Sequence, residues 1–180
     1  MKKVIVFLLL TCILFSAAGC SVLEKADSLL KPTDVVFAID SYQLQITADS
    51  SFQEKTSGSF DLQITNGSSY ISIMAYRYMD LPDSVTPLDV YDMQNEDLLG
   101  KRTAVAVMEE TKTETVSRHT VTQTLYSAEK DGVKNYYASY LIDFSEEETL
   151  AWVLVSATPS YLTDNREYLD NIVCSLTTVE

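Results

Sequence analysis

The sequence predicts an α/β (α+β) fold, an antiparallel β-sheet with helices packed on both faces. Three observations carry the prediction. Apolar and polar residues alternate with a period of two over much of the chain beyond residue 35, as half-buried strands require. Asn66-Gly67 and Lys130-Asp131-Gly132 mark hairpin-length turns, which join antiparallel neighbours. Two segments, starting at Pro87 and near Pro159, switch to helical spacing.

The first strand covers Tyr42 to Ile46, where Tyr42, Leu44 and Ile46 alternate with glutamines, and Phe60 to Ile64 repeats the pattern. Asn66-Gly67 then reverses the chain into Tyr70–Tyr78, predicting a hairpin of about 60–65 with 70–78. Asn66-Gly67-Ser68 also spells a glycosylation sequon, and the turn reading is preferred. A helix follows, with Thr86 as N-cap, Pro87 at its first position and Asp89 in the first turn. Leu88, Tyr91, Leu98, Val105 and Met108 share a stripe that carries this helix to about Glu109. Gly100 inside it costs about 1 kcal/mol relative to alanine, and a helix stopping there leaves Thr103–Met108 as a strand.

The period then returns to two. Thr111–Ser117 and Thr120–Ala128 are threonine-rich strands, and Val133–Phe144 is a long strand with tyrosines 136, 137 and 140 spread over both of its sides. Leu150–Ala157 is apolar on both faces and belongs at the centre of the sheet, with Trp152 and Leu154 on one face and Val153 and Val155 on the other. The closing helix starts near Pro159-Ser160 and presents Leu169, Ile172, Val173 and Leu176 at i, i+3, i+4 and i+7.

This order of elements resembles the PsbP-like fold. The residues that carry the resemblance are the strand ending near Ile46, the pair of strands within Asp61–Ile73 and the Pro-capped helix Pro87-Leu88-Asp89-Val90-Tyr91. Leu125 through Tyr137, the apolar strand Trp152–Ala157 and the closing helix Asn171–Leu176 complete it. It spans roughly residues 37–178, with Thr47-Ala48 standing where the family usually has Leu-Pro. The resemblance implies one α/β domain over 35–180, of a kind found in an extrinsic photosystem II subunit, a Ran-binding import factor and many bacterial lipoproteins.

The chain's first residues predict how it is held. Lys2 and Lys3 precede an apolar run from Val4 to Phe15, broken by Thr11 alone and too short to span a bilayer comfortably. Ser16-Ala17-Ala18-Gly19-Cys20 resembles the lipobox of bacterial lipoproteins, with Ala17 where leucine is more common. The resemblance implies a signal peptide of residues 1–19, cleavage before Cys20 and a diacylglyceryl group on its thiol. Two acyl chains give stable anchoring where one does not. Residues 20–34 read as a tether, and the predicted location is the extracytoplasmic face of a bacterial cell membrane.

Charge narrows the partners. The formal net charge is −13, from 26 acids against 13 lysines and arginines. Such a surface is unsuited to nucleic acid and is repelled by anionic headgroups, so the membrane is expected to be reached through the lipid alone. Candidate chemistry is sparse. His119 is the one histidine and reads as an exposed loop residue, and Cys174 reads as a small core residue. Five scattered glycines form no phosphate loop, and no cofactor or metal site is expected. Glu146-Glu147-Glu148 and Asp80–Asp83 read as solvated loop acids. The expected role is therefore a non-enzymatic binding or assembly module for a protein partner in the envelope or a small ligand. The alternative is a hydrolase using loop carboxylates.

Overall fold

The period-two segments form two antiparallel sheets in a computed structural model that describes residues 32–116 and 118–179. Cys20, the leader 1–19 and nearly all of the tether lie outside the described residues. The smaller sheet joins β1 (Asp34–Ile39), β2 (Leu44–Asp49) and a terminal pair β10 (Thr177–Thr178), in the order β1-β2-β10. The larger sheet contains β3 (Gln53–Glu54), β4 (Leu62–Thr65), β5 (Ser69–Arg77), β6 (Thr103–Val116), β7 (His119–Lys130), β8 (Val133–Phe144) and β9 (Thr149–Ala157). Its order is β3-β4-β5-β9-β8-β7-β6. The helices are α1 (Pro87–Gly100), α2 (Pro159–Asp164) and α3 (Arg166–Cys174).

Turn chemistry sets the register. Asp131 and Gly132 both hold positive φ, 54° and 77°, which matches a two-residue turn between the paired Lys130 and Val133. The β1–β2 and β8–β9 hairpins share another device: a short 3-10 turn closed by a left-handed residue, Gln43 in one and Glu148 in the other. At α1, Thr86 and Asp89 form a reciprocal capping box. The Asp89 N–H donates to the Thr86 hydroxyl at 3.2 Å, and the Thr86 N–H donates to the Asp89 carboxylate at 2.7 Å.

β9 lies between β5 and β8, and its side chains divide by parity. Leu150, Trp152 and Leu154 enter one buried cluster with Val90, Tyr91 and Leu98 of α1. Ala151, Val153 and Val155 enter a second cluster with Leu162, Leu169, Ile172 and Val173. Phe37, Ile39, Leu44 and Ile46 of the small sheet belong to that second cluster too. Cover on this side is thus shared between helices and a second sheet, where the sequence suggested helices.

Two further expectations change. β1 went unread because its alternation is broken: Phe37 and Ile39 are buried but Val36 is 57% exposed. The first helix ends at Gly100 and not near Glu109, so the strand alternative holds and extends to Val116. Val105 and Met108 fit a helical stripe by spacing, yet both are exposed and belong to neither core cluster. With no apolar face to bury, a helix there has nothing to hold it, and β-branched Val105 and Val107 favour the strand.

Candidate functional site

The structure brings His119 and Cys174 to the same small cavity of about 220 Å³, which their separation in sequence did not suggest. His119 is no loop residue. It opens β7, half-buried, with its ring 4.4 Å from that of Phe144. Cys174 is exposed at the end of α3 and not part of the core. The thiol is nonetheless partly covered, and this desolvation, with Asp170 and Glu114 nearby, pushes its pKa up, opposite to the activation a thiolate nucleophile needs. The glutamates 146–148 sit exposed in the β8–β9 turn. Among the described residues no three His, Cys, Asp or Glu side chains gather to hold a metal ion.

The tyrosines organise the sheet on both faces. Tyr140 enters the cluster beneath α2 and α3, and Tyr137 the cluster beneath α1. Tyr140 donates to Asp170, which also receives the Arg166 guanidinium at 2.8 Å. On the α1 side the register places Tyr70, Ser156, Tyr137 and Tyr126 in one cross-strand row. A serine between two tyrosines leaves a notch.

That notch is part of a cleft with two lobes. The larger, about 490 Å³, has Phe60, Met74, Leu98 and Trp152 as apolar walls. The smaller, about 410 Å³, is lined by Tyr70, Tyr137 and the polar side chains of Ser68, Asn135, Ser156 and Thr158. Arg102 and Lys130 line both lobes. Arg102 follows the end of α1: its Nη1 donates to the Leu98 carbonyl, and its guanidinium carbon lies 4.5 Å from the Tyr137 ring centre. Its Nε is buried without an acceptor. Lys130 ends β7 at the Asp131-Gly132 turn. Neither cation has a carboxylate within ion-pair distance among the described residues, whereas the neighbouring Lys101 is paired with Asp97 at 2.6 Å.

Sequence reasoning missed this pair. Each cation stands beside a chain reversal, and the available signal was the β6–β7 hairpin, whose register sets Thr103 opposite Glu129. Reading residues 103–109 as helix hid that pairing.

The second feature is the rim of the large sheet. β6 is a 14-residue edge strand with every residue exposed, and among the described residues β7 is its sole neighbour. Its ladder with β7 contains three register shifts, and Ala104 adopts a φ of 50°.

No protein-family model matches the chain, and no curated protein matches it in sequence. Solved structures do. Cyanobacterial PsbP (CyanoP) from Synechocystis sp. PCC 6803 superposes with a TM-score of 0.61 at 7% identity, over 82% of this chain and 94% of that one. LpqN, involved in cell envelope biogenesis of Mycobacterium tuberculosis, gives 0.58 at 10% identity, over 83% and 86%. The Ran-binding protein Mog1p of Saccharomyces cerevisiae gives 0.55 at 11% identity, over 83% and 97%. At such identities the likeness establishes the fold, an antiparallel α+β domain of PsbP-like architecture.

Proposed function

We propose that this chain is a binding or assembly module, not a catalyst, held on the extracytoplasmic face of a bacterial membrane by a lipid on Cys20. Its contact with a protein partner is the free edge of β6. The lipobox-like residues Ser16–Cys20 support the anchor. Among the described residues no helix is long and apolar enough to cross a membrane. Structural likeness to a Ran-binding protein and to an envelope-biogenesis protein supports a protein partner in the envelope.

The observation that carries the reading is the exposure of β6 over its whole length. An edge strand offers a row of backbone donors and acceptors to an incoming extended segment. Glu109, Glu110 and Glu114 outnumber Lys112 on it, so a second copy of the same acidic edge is a poor match. The fitting occupant is an extended segment of another protein that carries lysine or arginine for these carboxylates. Its apolar side chains would cover Val105, Val107 and Met108, each about half exposed at 44%, 50% and 46%.

The test is photo-crosslinking in native membranes, with a reactive residue at position 110 on β6 or at exposed Met93 on α1. The reading expects a discrete adduct from position 110, absent from position 93 and lost when Glu110 and Glu114 are reversed in charge with the probe moved to Thr113. Equal labelling from both positions, or an adduct indifferent to the reversal, contradicts it.

A further inference from the structure

We propose that the cleft between the end of α1 and the β4–β5 hairpin binds a small organic phosphate, its oxyanion held by Arg102 and Lys130 and its apolar part resting against Phe60 and Trp152. This site is separate from the β6 edge and does not depend on it.

Charge is the first ground. The chain carries twice as many acids as bases, yet no carboxylate lines the smaller lobe. In the larger lobe the lining carboxylate is Asp97, already engaged by Lys101. Two cations without ion pairs among the described residues are therefore concentrated where the lobes meet, and solubility gives no reason for that on so acidic a surface.

Donor geometry is the second ground. Arg102 is held in place by the Leu98 carbonyl and the Tyr137 ring, so little side-chain freedom is lost on binding. Its Nε–H is buried without an acceptor among the described residues. The side chains of Ser68, Asn135, Ser156 and Thr158 line the smaller lobe and take no part in the hydrogen bonds between described side chains. A flat carboxylate is satisfied by one arginine fork. Donors arriving from two strands, a hairpin and the start of α2 suit the several oxygens of a phosphate better.

Lobe character is the third ground. Phe60 and Trp152 face each other in near-stacked fashion, with ring centres 6.5 Å apart, beside Met74 and Leu98. Such a wall accepts an apolar or ring-bearing group attached to the phosphate.

Trp152 is the chain's one tryptophan, so its fluorescence reports on the site. The full-length, detergent-solubilised chain is titrated with phenyl phosphate, benzoate, phenol and dihexanoyl phosphatidic acid. Saturable quenching by a phosphate compound is expected, with benzoate at least tenfold weaker and phenol silent. Tighter binding of the short-chain lipid identifies a headgroup as the source, and tighter binding of phenyl phosphate a soluble ester. Arg102→Gln should abolish binding. Lys130→Gln, at an exposed hairpin position that leaves the fold intact, should weaken it at least fivefold. No saturable response to either phosphate, equal affinity for benzoate, or unchanged affinity in Lys130→Gln overturns the proposal.

Discussion

The indole N–H of Trp152 donates to the hydroxyl of Ser139 at 2.9 Å, a diagonal contact between neighbouring strands at the centre of the large sheet. The Ser139 hydroxyl in turn donates to the Asn95 side-chain carbonyl on α1 at 2.6 Å. All three residues are buried, so the chain of bonds fixes the helix over the sheet and positions the wall of the cleft. Ser139→Ala leaves a buried indole donor and a buried amide oxygen without partners. The expected loss is roughly 2–6 kcal/mol, at about 1–3 kcal/mol for each of the two orphaned groups. Urea denaturation measures it, and a loss below about 0.5 kcal/mol, the ordinary range for surface positions, contradicts this role.

Parity on β9 makes a second forecast. Leu154 and Val155 are adjacent in sequence, yet they enter different core clusters. Leu154→Ala should cost about 2–5 kcal/mol, and Val155→Ala somewhat less. A sheet with one open face would leave one of the two nearly silent, and denaturant midpoints of the two variants separate these cases.

Alkaline pH should weaken the fold through its tyrosines. Burial, and then the adjacent Asp170 carboxylate, raise the Tyr140 phenol above its ordinary value of about 10. Burial also raises Tyr78 and Tyr168, each bonded to a carboxylate, Asp143 and Asp49 respectively. The folded state keeps these protons where the unfolded chain gives them up. Stability is therefore whole below about pH 10 and falls as pH rises from there toward the folded values. Denaturant midpoints from pH 8 to 11.5 should drop above pH 10 and drop less in Tyr140→Phe. A flat profile in the parent chain contradicts the assignment.

What was legible in the sequence was local. Thr86-Pro87 with Asp89 makes a capping box from four consecutive residues, and Asp131-Gly132 makes its turn from two. The apolar run at 150–157 announced a central strand because no other position buries both faces. β1 and the first half of β6 were not legible, whereas the second half of β6 was, within Thr111–Ser117. Val36 breaks the pattern of β1, and Val105 and Met108 share a helical stripe while Val105 and Val107 alternate as in a strand. The cleft was hidden for a related reason. Arg102 and Lys130 meet through the β6–β7 pairing, and Ser156 becomes a notch only when Tyr70 and Tyr137 are known to flank it.

The anchor makes its own forecast. Cys20→Ala should abolish incorporation of labelled fatty acid and release the protein from the acyl-anchored membrane fraction, because this thiol is the lipid attachment point the lipobox resemblance implies. Continued labelling of the variant contradicts the anchor.

Docking on β6 is the central claim, and the affinity of the full chain for the protein captured from position 110 tests it most directly. Parent chain and the Glu110→Lys, Glu114→Lys variant are compared at low and at physiological salt. Both side chains are exposed, and Glu109, which lies 3.8 Å from the Arg166 guanidinium, is left in place, so the variant should fold as the parent does. The account predicts at least tenfold weaker binding in the variant and a parent affinity that falls with salt, as opposed charges across an exposed interface require. Equal affinity of the two chains at both salt concentrations would contradict it.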